Sequence, residues 1–184
     1  MELRNATLAD LPAIVEIYNQ SIPSRQATAD TEAVSVDSRL DWFAAHNSPQ
    51  RPLWVCALSR RPEGPPLELG IPETGTLETG IIAGWISLNS FYGRPAYRDT
   101  VEVSLYVHSA YQRQGMGRYM LSEMVQYSQQ QGLRALLGFI FAHNQPSLAL
   151  FRGLQFQNWG YLPQVAVLDG ACRDLVILGR SLCP

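Results

Sequence analysis

Cysteine is scarce in this chain of 184 residues: Cys56, Cys172 and Cys183 stand far apart, with no Cys-x-x-Cys pair and no histidine beside them. That spacing argues against a disulfide framework and against zinc, and reads as packed thiols. His46, His108 and His143 are equally isolated, so no metal site is expected. An excess of positive charge is missing too. With 14 Lys+Arg against 16 Asp+Glu and a net charge of −2, the chain has no basic field to collect nucleic acid and no polybasic patch for a membrane surface. There is no apolar run of about 18 residues to span a bilayer, and the first residues lack the basic and apolar regions of a signal peptide. A soluble cytoplasmic protein is the expectation. Disorder is excluded by composition, since 46% of residues are hydrophobic and 16% charged. Neither repeats nor a second domain are visible, so residues 1–184 read as one domain with a core of its own.

Apolar periodicity then orders the elements. A short strand around Leu3 precedes a helix carrying Leu11, Ile14, Val15 and Tyr18, which ends near Ser21. Two starts fit that helix, a cap at Thr7 or one at Asp10; only the second puts Pro12 safely inside the first turn. Residues 23–34 read as a loop able to line a pocket, and residues 36–46 as a second helix with Leu40, Trp42 and Phe43 apolar. Strands are expected at 53–58 and 81–88. Between them, residues 60–80 are rich in Pro and Gly and read as an enlarged hairpin insertion, with an extra rung of sheet at 67–69. Residues 133–141 suit a buried central strand, and His143-Asn144-Gln145-Pro146 turns into a short helix. Runs at 157–168 and 174–182 form a hairpin about Asp169-Gly170. The fold class is α/β, a mixed sheet of about six to seven strands flanked by about four helices.

The chain is organised around residues 100–131. Val101, Val103, Leu105 and Val107 alternate with Glu102, Ser104 and Tyr106, the pattern of a strand with one packed and one polar face. Gly115 and Gly117 follow, then a helix with Met120, Leu121, Met124, Val125 and Tyr127 on one side, closed by Gly132. A glycine-bearing turn between strand and helix brings backbone and free helix N–H groups together, a seat for an anion such as a pyrophosphate. A Rossmann fingerprint would need glycine where Met120 stands, and a Walker loop would need Gly-Lys-Ser/Thr, which is absent.

In this setting Gln112-Arg113-Gln114-Gly115-Met116-Gly117 resembles the Gln/Arg-x-x-Gly-x-Gly/Ala signature of the GNAT superfamily of N-acetyltransferases. Within it the chain resembles the phosphinothricin acetyltransferase family along nearly its whole length, apart from residues 60–80. The resemblance rests on Ala-Asp-Leu-Pro-Ala-Ile at 9–14, Ile-Tyr-Asn at 17–19, Thr-Ala-Asp-Thr-Glu at 28–32, Arg-x-x-Trp-Phe at 39–43 and Leu-Pro-Gln-Val at 162–165. Its most specific part is Tyr97-x-x-Thr-Val-Glu-x-Ser-x-Tyr-Val, ending at Val107. It implies a GNAT fold and transfer of acetyl from acetyl-CoA to the amine of a small amino-acid-like acceptor, such as phosphinothricin, methionine sulfone or methionine sulfoximine. Dimers are common in the family, so a homodimer is also implied.

Residue by residue, the resemblance places the general base at Glu102, which would take the proton an ammonium must lose before its nitrogen attacks a thioester. Gln112, Arg113, Gln114, Gly115, Met116, Gly117 and Arg118 would cradle the CoA pyrophosphate. Tyr106 and Val107 would offer main-chain groups to the pantetheine and thioester from a splayed strand. Asn144 matches an asparagine beside the cofactor arm; a turn role before Pro146 fits it equally well. Arg94 and Tyr97 align with residues that hold the acceptor, and an arginine fork suits a carboxylate. Trp85 reads as core, while Phe91 and Tyr92 suit either packing or a pocket wall.

Two departures stand out. Phe151 occupies the place of a Tyr or His, so the group that protonates the leaving thiolate is unassigned. The family's Lys-Phe-Gly-x-Trp turn is replaced by Val-Leu-Asp-Gly-Ala-Cys at 167–172, which points to a different acceptor preference. The competing readings are a GNAT enzyme acting on a peptide, lysine or polyamine amine, and a catalytically weak acetyl-CoA-binding module.

Overall fold

The computed structural model describes residues 1–58 and 80–182. Apart from Gly80, the insertion expected at 60–80, with its rung at 67–69, lies outside the described residues, as does Cys183. Among the described residues the strands are β1 (Glu2–Asn5), β2 (Asn47–Ser48), β3 (Arg51–Leu58), β4 (Ile81–Ser90), β5 (Thr100–Val107), β6 (Ala135–Phe141), β7 (Gln157–Leu168) and β8 (Ala171–Ser181). The helices are α1 (Leu11–Ser21), α2 (Leu40–Ala44), α3 (Met116–Gln130) and α4 (Gln145–Arg152). Seven strands run in the order β1-β3-β4-β5-β6-β8-β7, and the two-residue β2 pairs with β3 off this path. All pairings are antiparallel except β5 with β6.

Alternation along the strands divides the core into two layers. Val101 and Val103 of β5 and Ile86 and Leu88 of β4 pack on one face with Met120, Leu121 and Met124 of α3 and Leu148 and Phe151 of α4. Leu121 is wholly buried, a burial that contributes about 1.5–3 kcal/mol. On the other face Trp85, Leu53 and Val55 meet Ile14 and Ile17 of α1, with Trp42 and Phe43 of α2 at the margin. Trp85 is core, as expected, and its indole N–H donates to the Ile14 carbonyl at 3.1 Å.

The start of α1 combines both expected boundaries. Thr7 N–H donates to Asp10 at 2.7 Å and opens a 3-10 turn, and the α-helix proper begins at Leu11 with Pro12 in its first turn. The second helix expected over 36–46 is shorter than its periodicity implied. Residues 37–39 form a 3-10 turn, and α2 covers only Leu40–Ala44. Short polar side chains cause this: Ser35 Oγ accepts from Ser38 N–H and Ser38 Oγ donates to the Ser35 carbonyl, offering the backbone a local alternative to the helix.

Candidate active site

The parallel pairing of β5 with β6 lasts for three residues, Thr100 with Ala135, Val101 with Leu136 and Glu102 with Leu137. Beyond that rung β5 continues to Val107 against β4 alone, and β6 continues to Phe141 against β8 alone. The two strands splay, and their facing main-chain groups lose their ladder. A cavity of about 310 Å³ occupies the opening, walled by Val103–Tyr106 on one side and Phe139–Phe141 on the other, with Glu102 at its apex.

Glu102 lies half-buried, opposite Asn89 of β4. Burial raises its carboxyl above the ordinary glutamate value, because withdrawal from water disfavours the charged form. It is therefore a stronger base than a solvated glutamate.

Residues 26–29, in the loop after α1, also line the cavity. The Tyr106 hydroxyl donates to the Ala27 carbonyl at 3.1 Å, and its ring stacks on Trp85 with centroids 4.7 Å apart. Burial, followed by the neighbouring Tyr18, pushes the Tyr106 phenol well above its usual range. The side chain of Tyr106 thus braces the loop, while its main chain pairs with Trp85 of β4, in the register that carries the His108 N–H to the Ala83 carbonyl. The loop is further held by Tyr18, whose hydroxyl bonds Thr28 at 2.5 Å and Asp30 at 2.6 Å, and by the ion pair of Arg39 with Asp30 at 2.9 Å. Sequence reasoning marked residues 23–34 only as a pocket-lining loop. Its individual contacts were missed because a run of small polar residues carries no periodic signal.

At the far end of the splay, Gly115 has φ of +81° with open space around it, a conformation that glycine adopts without strain. It precedes α3, whose N-terminus has no side-chain cap. The first helical bond runs from Tyr119 N–H to the Gly115 carbonyl at 3.0 Å. The N–H groups of Met116, Gly117 and Arg118 therefore form the uncapped first turn, a donor set that fits a phosphate. Gly117 admits close packing, because an added Cβ would lie 3.3 Å from Leu150 and 3.6 Å from Leu105. The Met116 side chain is buried in the core. Arg113 is exposed with φ of +59°, while the Arg118 guanidinium lies against Gly153 at the end of α4, where a cation complements the helix dipole. Gln114 donates to the Ala110 carbonyl, and Gln112 donates to the Val107 carbonyl at 3.2 Å, so that carbonyl already has a partner.

Asn144 serves the fold and faces the cavity. It is buried, its Oδ1 accepts from Ser147 N–H at 3.1 Å to cap α4, and its Nδ2 donates to the Gln26 carbonyl at 3.1 Å. Phe151 is buried beside it. Its ring lies over Gly138, where an added Cβ would be 2.6 Å from Cε1, so glycine on β6 makes room for the phenyl group.

Arg94 and Tyr97 are exposed and do not line this cavity. An aromatic chain connects them to its wall: Phe139 stacks on Phe91, which meets Tyr97 edge-on at 5.7 Å, and Arg94 lies over the Tyr92 ring at 5.9 Å. Among the described residues no carboxylate pairs with Arg94, and none of the His, Cys, Asp and Glu groups cluster in a way that could hold a metal.

A profile of the Acetyltransferase (GNAT) family matches residues 16–156. A Bacillus subtilis protein provisionally named a phosphinothricin acetyltransferase is 43% identical, covering 99% of both chains. The L-methionine sulfoximine/L-methionine sulfone acetyltransferase of Salmonella typhimurium is 30% identical over 99% of this chain and 95% of its own. Among solved structures, a phosphinothricin acetyltransferase from Sinorhizobium meliloti in complex with acetyl-CoA superimposes with a TM-score of 0.83 at 27% identity, covering 98% of this chain and 87% of that one. The matched fold, the splayed strands and the uncapped α3 terminus agree, and the chain belongs to the acetyltransferase (GNAT) family as an acetyl-CoA-dependent N-acetyltransferase.

Proposed function

We propose that this enzyme acetylates the amino group of small amino-acid-like acceptors of the phosphinothricin, methionine sulfone or methionine sulfoximine type, with Glu102 as general base. The observation that carries the reading is the half-buried Glu102 carboxylate, made more basic by burial, at the apex of the opening between β5 and β6. The curated relatives named for these acceptors support the acceptor class.

Bound acetyl-CoA supplies a thioester carbonyl open to attack and a thiolate leaving group. Glu102 removes a proton from the acceptor ammonium, directly or through one water, which frees the lone pair that forms the N–C bond as the C–S bond breaks. Unladdered N–H groups of β5 beyond Glu102 stabilise the negative charge that develops on the carbonyl oxygen. The uncapped turn at residues 112–118 holds the phosphates, and Arg94 with Tyr97 receives the acceptor carboxylate. Phe151 has no proton to give, so the leaving thiolate takes its proton from water or from one of the hydroxyls of Thr28, Ser104 and Ser147 that line the cavity.

The enzyme acts as a homodimer in the cytoplasm. The edge strand β7 supports the dimer: Trp159, Tyr161 and Val167 are between 48% and 62% exposed, apolar surface that suits a self-complementary interface.

An acceptor panel followed by CoA release tests the function. Phosphinothricin, methionine sulfone and methionine sulfoximine should exceed N-terminal peptides, lysine and polyamines in kcat/KM; the reverse order overturns the reading.

A further inference from the structure

A second cavity, of about 170 Å³, lies on the α1–α2 side of β5. It is below the roughly 300 Å³ at which pockets begin to take whole drug-sized ligands, and so has the scale of a single side chain. Ser104 and Tyr106 line both this cavity and the larger one that contains Glu102. Glu102 and Ser104 point to the same face of the strand and are separated by about 7 Å along it. An acceptor whose amine meets Glu102 therefore has its side chain within reach of the smaller cavity if that chain is of methionine length, but not if it is as short as alanine.

The walls are fixed and mixed, with Ile14, Val15, Val34, Trp42 and Trp85 apolar and Tyr18, Ser104 and Tyr106 bringing hydroxyls. Trp42 meets Trp85 edge-on at 5.6 Å and packs on His46 at 4.6 Å. His46 in turn bonds the Trp42 carbonyl at 2.7 Å and Asn89 at 2.9 Å. Val34 stands at the rim with both main-chain groups held by the Asn19 amide, at 3.0 and 2.9 Å. Arg39 adds the charged edge. Its Nη2 is bound to Asp30 and its guanidinium lies over Tyr18 at 5.1 Å, while its other N–H groups have no partner among the described residues. The pair with Asp30 cancels the net charge but leaves donors free.

From this geometry we infer that the cavity lined by Trp42, Trp85, Val34 and Arg39 is the subsite for the acceptor's side chain. It selects an unbranched apolar stem that ends in a hydrogen-bond-accepting oxygen. The inference rests on the proposed acceptor class and adds to it the residues that set side-chain length and tip.

The test is the kcat/KM profile across alanine, 2-aminobutyrate, norvaline, norleucine, methionine, methionine sulfone and phenylalanine, measured for the wild type and three variants. Val34→Phe keeps the main-chain bonds to Asn19 and narrows the rim. It should lower the longer acceptors at least tenfold relative to the shortest one the wild type accepts, with the KM for acetyl-CoA unchanged. Trp42→Ala widens the cavity and should raise phenylalanine at least tenfold relative to methionine sulfone. Arg39→Lys retains a charge opposite Asp30 but loses the fork, and should shrink the preference for the sulfone over methionine. If the wild type acetylates these amino acids and the variants change short and long acceptors by the same factor, the subsite assignment is wrong while the proposed function stands. A wild type that acetylates none of them overturns the subsite assignment, and the proposed function falls with it if phosphinothricin and methionine sulfoximine are refused as well.

Discussion

Glu102 faces Leu137 across the last rung that joins β5 to β6, and the sheet parts immediately beyond them. One residue thus ends the ladder and carries the carboxylate of the site. The coupling has a physical consequence. The neighbours that hold β5 in place also remove Glu102 from water, so the basicity of the proposed catalyst follows from its position at the fork.

Glu102→Gln is expected to lower kcat by about a hundredfold or more, the usual scale for loss of a general base, while the KM for acetyl-CoA stays close to that of the wild type. Stability should move the other way. Because the folded pKa of Glu102 is raised, its contribution is fully present below the unfolded value of about 4.3 and is lost as pH rises through the folded value. At pH 7 the variant, free of a half-buried charge, should melt at a higher temperature than the wild type, and at pH 4 the gap should close. Thermal melts at the two pH values check this; a lower Tm at pH 7 would show that the carboxylate supports the fold.

The strand-turn-helix over residues 100–131 was legible because the strand alternates with period two and α3 repeats its apolar residues at helical spacing. Asp169-Gly170 likewise marked the β7–β8 hairpin, where both residues have positive φ. Legibility failed where long-range contacts decide. The bond from Tyr106 to Ala27 joins residues 79 apart, and no local pattern announces it. α2 was overestimated because Leu40, Trp42 and Phe43 have helical spacing while the serines before them favour a turn. Gln112 was assigned to the cofactor from a motif yet also bonds the Val107 carbonyl, and Asn144, for which a turn role fitted equally well, caps α4 through Ser147 but also bonds Gln26, a contact that spacing does not display. Arg94 and Tyr97 adjoin the cavity through Phe91 and Phe139 rather than lining it.

Arg94→Ala is expected to raise the acceptor KM tenfold or more, equivalent to about 1.4 kcal/mol of binding, and to leave the KM for acetyl-CoA within twofold. The side chain is exposed and without a carboxylate partner among the described residues, so its removal should cost little stability. Steady-state kinetics with each substrate varied in turn separates the outcomes. An equal rise in both KM values would assign Arg94 to loop structure.

Asp10 gives a prediction for stability at acid pH. Its carboxylate is almost wholly buried, grips the Arg4 fork at 2.7 and 2.8 Å, and accepts from the main chain and hydroxyl of Thr7. Burial works to raise its pKa, but the bonds from Arg4 and Thr7 outweigh it and hold the carboxyl below the usual aspartate range. Asp10→Asn should destabilise the protein by about 1–3 kcal/mol at pH 7, since it removes the charge partner of the partly exposed Arg4 and weakens its hydrogen bonds. A depressed folded pKa means that this advantage is fully present above the unfolded value near 3.9 and is lost as pH falls through the folded value. Urea unfolding of both proteins should therefore give a constant difference from pH 7 to about 4.5 and a shrinking one below pH 4. A difference that grows on acidification would contradict the assigned sign.

Asn144 can be divided into its separate duties. Asn144→Ala removes the α4 cap and the bond to the Gln26 carbonyl together, and should cost about 1–2 kcal/mol. Asn144→Asp retains an acceptor for Ser147 N–H and places negative charge at a helix N-terminus, which is favourable, but it can no longer donate to Gln26. The helix is thereby preserved while the loop over the cavity is released at one point. The expected result for Asn144→Asp is a lower Tm at pH 7, because a carboxylate oxygen then faces the Gln26 carbonyl in a buried site, together with a raised KM for acetyl-CoA, because the cavity wall and its amide donor have changed. Calorimetric melts paired with initial-rate kinetics read both quantities on the same preparation. An unchanged KM in Asn144→Asp, alongside a destabilised Asn144→Ala, would confine Asn144 to capping α4.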